Sequence, residues 1–193
     1  MDLTQGTPEE KNIRAKKMML WFGIISLLMA FAGWTSAFIV SSSRKDWLDN
    51  LELPSAFFYS TAIIILSSFT YIAALRSRKK DQHSPTTIFL AITLVLGLIF
   101  IALQFMGFTQ IVDQGYYFTG PTSNITMSYI YLIAMVHVAH VVAGLISLLV
   151  VLVKQIRNKY SSANMLGMEL GATFWHFLDL LWVYLILFFY FFK

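Results

Sequence analysis

Residues 168–193 read MELGATFWHFLDLLWVYLILFFYFFK, a stretch apolar enough to sit in lipid from residue 170 to residue 192. At its start or inside it are Glu169, His176 and Asp179, three groups that hydrocarbon penalises. An ionisable side chain at the bilayer centre costs about 2.5–3.5 kcal/mol on insertion scales, so such residues face other protein and are functional candidates. As a helix rising 1.5 Å per residue, the run crosses a hydrocarbon core of about 30 Å. It is continuous rather than alternating, which excludes the strand of a membrane barrel.

Working outward, four earlier runs have the same character, at 18–40, 54–75, 88–108 and 128–153, and the quoted stretch supplies the fifth at 170–192. The whole chain of 193 residues is 58% hydrophobic and only 12% charged. A soluble domain carries about 25% charged residues, so this chain cannot cover a water-facing surface. The expected fold is an all-α integral membrane protein, a bundle of five transmembrane helices. A polar tail, 1–17, precedes a single membrane domain, 18–193. The tail lacks the pattern of a cleaved signal peptide, and the first apolar helix is expected to act as an uncleaved signal. With no cysteine, disulfides, iron–sulfur ligation and thiolate metal sites are excluded.

Lys and Arg set the orientation. Eleven fall in the tail and in the loops after the second and fourth helices, against three (Arg44, Lys45, Lys193) on the other side. This places the N-terminus in the cytoplasm and the C-terminus outside. The net charge of +4 therefore serves topology. No basic stripe interleaved with aromatics suggests a nucleic-acid partner. Asn124-Ile125-Thr126 matches a glycosylation acceptor pattern on the outer side, a motif common by chance.

Spacing organises the intramembrane polar groups. His137 and His140 are i, i+3 neighbours on the fourth helix, with Gly144 four residues further. On the fifth, Glu169 and His176 lie two turns apart on one face, Asp179 follows His176 by three, and Trp175, Asp179 and Trp182 share a stripe. Gln104 is the notable polar residue of the third. Ala134 and Gly144 allow close helix approach, and a short connection makes the fourth and fifth helices antiparallel neighbours. One reading of these histidines is a haem site, with His140 and His176 as axial ligands from two helices. The plainer reading is preferred: a satisfied polar cluster fixing the register of the fourth and fifth helices, each His sharing hydrogen bonds with Glu169, Asp179 or backbone carbonyls. No nucleophile elbow, phosphate-binding glycine loop or zinc-protease helix is present, so the chain has little catalytic equipment of its own.

The same residues carry a family resemblance. His137-Val138-Ala139-His140-Val141-Val142-Ala143-Gly144 resembles the H-x-x-H-V-x-x-G signature of subunit III of haem–copper terminal oxidases, the cytochrome c oxidase and quinol oxidase family. Glu169, Trp175-His176-Phe177, Asp179 and Trp182 resemble its last helix, with Leu178 where valine is usual. Gly97, Phe100 and Gln104 match its L-G-x-x-F-x-x-x-Q helix, and "ILSSFT" (65–70) is similar to its serine-rich helix. The likeness runs from about residue 17 to 193. Two departures limit it. The chain has five helices, like the shorter bacterial form, where the longer form has seven. Leu27 stands where the family's first core helix usually has glutamate, so roles of that carboxylate do not carry over.

The resemblance implies a subunit without haem or copper, those cofactors residing in partner subunits. Oxygen reduction belongs to subunit I, and electrons arrive through subunit II or a quinol. The chain is then expected to pack against subunit I, stabilise it, support proton uptake, bind phospholipid and join respiratory supercomplexes in a bacterial inner membrane. The contrasting expectation, from the histidines alone, is a stand-alone bis-histidine haem membrane cytochrome.

Overall fold

A computed structural model describes residues 6–48, 52–120, 123–162 and 164–192, and it contains five helices. They are α1 (Pro8–Ser41), α2 (Ser55–Lys79), α3 (His83–Asp113), α4 (Ile125–Ile156) and α5 (Leu166–Phe191), each long and apolar enough to cross a membrane. Lys193, counted above on the outer side, lies outside the described residues.

The helices outrun the apolar runs because polar residues beyond the bilayer still favour helix. Part of the tail 1–17 is helical: Thr7 caps α1 by accepting from the Glu10 N–H, Glu10 returns a bond to the Thr7 N–H, and Pro8 occupies the first turn. Three helices end in the same way. After α2 the Gln82 N–H reaches back to the Ser77 carbonyl, after α3 Tyr116 to Ile111, and after α4 Lys159 to Lys154. Each of these closures passes through one residue in the left-handed region: Asp81 (φ 54°), Gly115 (φ 85°) and Asn158 (φ 54°).

Helices α2, α3, α4 and α5 close a four-membered ring, each packed on the next and α5 back on α2. Helix α1 stands outside the ring against α4 and α5. It buries a single stripe, Ile24, Phe31, Thr35 and Phe38, and nothing N-terminal to Ile24. The N-terminal half of α1 thus stands apart from the bundle. Exposed Leu, Ile, Met and Phe side chains occur on all five helices, as expected for surfaces that face lipid.

The ring is centred on Trp175 of α5, which is 1% exposed. A Cβ on Gly97 (α3) would lie 2.7 Å from the Trp175 ring, and one on Gly144 (α4) 3.2 Å from it. The indole is therefore held between two helices that approach closely only because both residues lack a side chain. Further along the ring, the Phe57 ring of α2 occupies the space beside Gly107 of α3.

Candidate functional site

Where polar groups meet inside the ring, α2 supplies the hydroxyls. Ser60 Oγ accepts from Gln104 Nε2 of α3 at 2.8 Å, Thr61 Oγ1 from Trp182 Nε1 at 3.0 Å, and Ser67 Oγ from Trp175 Nε1 at 3.0 Å. Each of these hydroxyls spends its own proton on a carbonyl one turn back, Phe57 or Ile64, which leaves lone pairs free for the neighbouring helix. Ser68 Oγ lies 2.6 Å from His176 Nδ1, and Thr70 Oγ1 lies 2.8 Å from Thr93 Oγ1 of α3. The residues repeat at i, i+7 (Ser60 and Ser67, Thr61 and Ser68), so the bonds run as a ladder along α2. That spacing was visible in the sequence; which helices the ladder would face was not.

This arrangement corrects the expected cluster. His137, His140, Glu169, His176 and Asp179 do not form one hydrogen-bonded seam between α4 and α5. His176 turns instead to α2, between Ser68 and the edge of Tyr71. Asp179 is 5% exposed, its Oδ2 sits 3.9 Å from His176 Nδ1, and neither carboxylate oxygen is hydrogen-bonded. That separation exceeds hydrogen-bond reach. Glu169 is half-buried at the start of α5; its backbone carbonyl accepts from Thr173 Oγ1, and its carboxylate joins none of these bonds. His137 is fully buried, stacked on Trp182 at 5.2 Å with Phe31 and Phe100 edge-on, and neither ring nitrogen is hydrogen-bonded. His140 is half-buried toward α1 beside Phe31, and its Nδ1–H donates within its own helix to the Val136 carbonyl at 2.7 Å.

His140 and His176 accordingly face opposite flanks of α5, one toward α1 and the other toward α2. The interior between α3, α4 and α5 is filled by Trp175 and Leu178 against Gly97, Gly144 and Leu145. These residues do not fit a bis-histidine haem, which needs both rings turned to a shared gap. Among the described residues no group of three or more His, Asp or Glu side chains converges as a metal site.

At the opposite end of the bundle from the N-terminus of α1, Asn124 caps α4 by accepting from the Thr126 N–H at 2.8 Å and donates to the Asp46 carbonyl at 2.9 Å. The acceptor amide of the glycosylation pattern is thus engaged in tying two loops together.

A second feature had no counterpart in the sequence reading. A cavity of about 860 Å³ opens where the N-terminal half of α1 diverges from the end of α4 and the start of α5. Leu149, Val153, Leu166 and Leu170 give it an apolar wall. Lys16, Lys154, Arg157 and Lys159 surround it, with no carboxylate in the lining among the described residues. A cation-rimmed apolar cleft at the end of membrane helices suits an anionic headgroup above acyl chains. The four cations come from α1, α4 and a loop, so only the fold brings them together.

Comparison with known proteins identifies the family. The family model described as cytochrome c oxidase subunit III matches residues 17–193. Subunit 3 of a cytochrome bo(3) ubiquinol oxidase from Pseudomonas aeruginosa is 31% identical over 135 residues, 70% of this chain and 63% of that one. Cytochrome c oxidase subunit 3 of Alkalihalophilus pseudofirmus is 27% identical across 92% of this chain and 88% of its own. A cytochrome bo(3) ubiquinol oxidase subunit 3 from Buchnera aphidicola is 25% identical over 95% of both.

Proposed function

Because the chain belongs to the cytochrome c oxidase subunit III family, we propose that it is the subunit III of a respiratory haem–copper oxidase, packing against subunit I and stabilising it during proton-coupled oxygen reduction. It is a multi-pass protein of a bacterial plasma membrane. The observation that carries the proposal is the family match over residues 17–193, on a fold in which hydroxyls of α2 join it to α3 and α5. In this reading the chain holds no haem or copper, and the subunits beside it do. Its relatives bear both cytochrome c and ubiquinol oxidase names, and the electron donor is chosen in those other subunits.

The α2 ladder and the Trp175 socket make the bundle stiff, which is what a non-catalytic subunit offers a catalytic neighbour. Support of proton uptake belongs to the same proposal and rests on the family resemblance, not on the cationic rim. A phospholipid in the cavity between α1 and the bundle completes the reading, with Lys154 and Arg157 holding its phosphate.

An affinity-tagged full chain, purified in mild detergent, tests this. Mass spectrometry should recover a haem-bearing polytopic partner, and the visible spectrum should scale with that partner. A Soret band that follows this chain when the partner is stripped away would overturn the proposal in favour of a membrane cytochrome. For the lipid, a Lys154→Ala/Arg157→Ala chain should retain less phosphatidylglycerol than the wild type in native mass spectrometry, roughly tenfold or more by titration, since each cation near anionic lipid is worth about 1 kcal/mol.

A further inference from the structure

The wall of the cationic cavity on its loop side is short and held at two points. Lys159, Tyr160 and Asn164 line the cavity, and between them the chain turns back on itself, with the Asn164 N–H donating to the Ser161 carbonyl at 3.0 Å and lying 3.2 Å from Ser161 Oγ. One anchor is internal: Tyr160, 7% exposed, lies against Gly167, whose missing Cβ leaves room for the phenol oxygen. The other comes from a different loop. Ser162 N–H donates to Asp81 Oδ1 at 3.0 Å, across 81 residues of sequence.

Asp81 is itself set for this bond. It occupies the left-handed position that ends α2 (φ 54°), its N–H donates to the Arg78 carbonyl at 2.9 Å, and Arg78 Nη2 donates to its Oδ1 at 3.2 Å. A second tie runs beside it. His83 Nε2 donates to the Gln155 carbonyl at 2.9 Å, and Gln155 Nε2 reaches the His83 carbonyl at 3.5 Å. That second tie joins helix to helix, whereas the Asp81 bond reaches the turn that walls the cavity. Asp81 is not among the residues lining it.

We propose that Asp81 is a positioning residue for the cationic cavity: through Ser162 it holds the 159–164 wall in place and thereby sets affinity for an anionic phospholipid. This rests on the lipid reading given above. Releasing the turn lets Asn164 and the chain beyond Lys159 shift against Lys154 and Arg157, while the Lys159 N–H stays bonded to the Lys154 carbonyl, so the headgroup loses a preorganised contact. Because one hydrogen bond contributes about 0.5–1.5 kcal/mol, the effect is a loss of roughly two- to tenfold in lipid affinity.

Two substitutions separate the bond from its surroundings. Asp81→Asn keeps an acceptor oxygen and tolerates the left-handed backbone, while Asp81→Gly keeps the backbone and loses the acceptor. Both remove the negative charge equally. Full-length chains in mild detergent are titrated with dioleoyl phosphatidylglycerol and, separately, dioleoyl phosphatidylethanolamine by native mass spectrometry. Hydrogen exchange over residues 159–164 is followed in the same preparations. The expected result is weaker phosphatidylglycerol binding and faster exchange in Asp81→Gly, with Asp81→Asn close to wild type. Equal binding in wild type and Asp81→Gly, where Lys154→Ala/Arg157→Ala binds less, overturns the role of Asp81 and leaves the lipid reading standing. Equal weakening in Asn and Gly variants also overturns it, since charge rather than the bond to Ser162 would then matter. Binding untouched by Lys154→Ala/Arg157→Ala removes the lipid reading, and the positioning role with it. Should Asp81→Gly yield poorly, the exchange rates of the Asn variant carry the test, and fast exchange in a variant that retains the acceptor counts against the proposal.

Discussion

Trp175 shows how much one side chain can decide when two others are absent. Its indole spans from Gly97 to Gly144 and donates to Ser67, so α2, α3, α4 and α5 meet on a single residue. A methyl group at Gly97 would sit 2.7 Å from both Leu145 and Trp175, tighter than at Gly144, where the nearest atom is Leu178 Cδ1 at 2.8 Å and the Trp175 ring is 3.2 Å away. Gly97→Ala is therefore expected to destabilise the bundle by about 1–3 kcal/mol, the usual cost of overpacking, and by more than Gly144→Ala. Unfolding of the full chain in mixed detergent micelles measures both. Ser67→Ala strands the buried Trp175 N–H and should cost about 1–2 kcal/mol in the same assay. Asp179→Asn should cost less than Ser67→Ala, because neither carboxylate oxygen is in hydrogen-bond geometry although Ser68 stands close by. A melting temperature for Asp179→Asn below that of Ser67→Ala would show a partner that these contacts do not include.

At the scale of elements, long apolar runs made the five helices legible, because lipid demands that backbone bonds be satisfied within each segment. Their ends were less so. α1 starts at Pro8 and α3 continues to Asp113, since capping by Thr7 and ordinary helix propensity operate in water, beyond the hydrophobic signal. Partner choice was least legible. Spacing on α5 correctly put His176 and Asp179 on one face, but spacing within a helix carries no information on which neighbour covers that face, and α2 covers it rather than α4. The loop tie at Asp81 belongs to this scale too. Hydrogen bonds from the Ser162 side chain and N–H hold its carboxyl below the ordinary carboxylate range, with the Arg78 guanidinium adding to the effect. A depressed native value means stability that is present above the unfolded value of about 3.9 and is lost as pH falls through the native one. The melting difference between wild type and Asp81→Gly should accordingly stay constant from about pH 8 to pH 5 and close below about pH 4. A difference that persists unchanged at pH 3 would contradict this assignment.

For the molecule as a whole, the family was readable from two helices, because His137 to Gly144 and Glu169 to Trp182 combine residues that lipid would not tolerate without cause. What those residues do was not readable in the same way. Two of the three intramembrane histidines took contacts other than those expected, His137 from an aromatic box and His176 from a serine three helices earlier in sequence. The cavity assembled from α1, α4 and the loop before α5 left no trace in any one segment. The ring itself also has a consequence for how the protein is made. α1 packs only on α4 and α5, and the ring cannot close until α5 joins α2. The ribosome must add about 150 residues after α1 leaves it before all of α1's contacts exist, a wait of roughly 8–30 s at ordinary translation rates. Made before the other four helices, α1 is thus among the last to be docked, and through that interval its stripe of Ile24, Phe31, Thr35 and Phe38 must be sheltered by lipid or by the insertion machinery.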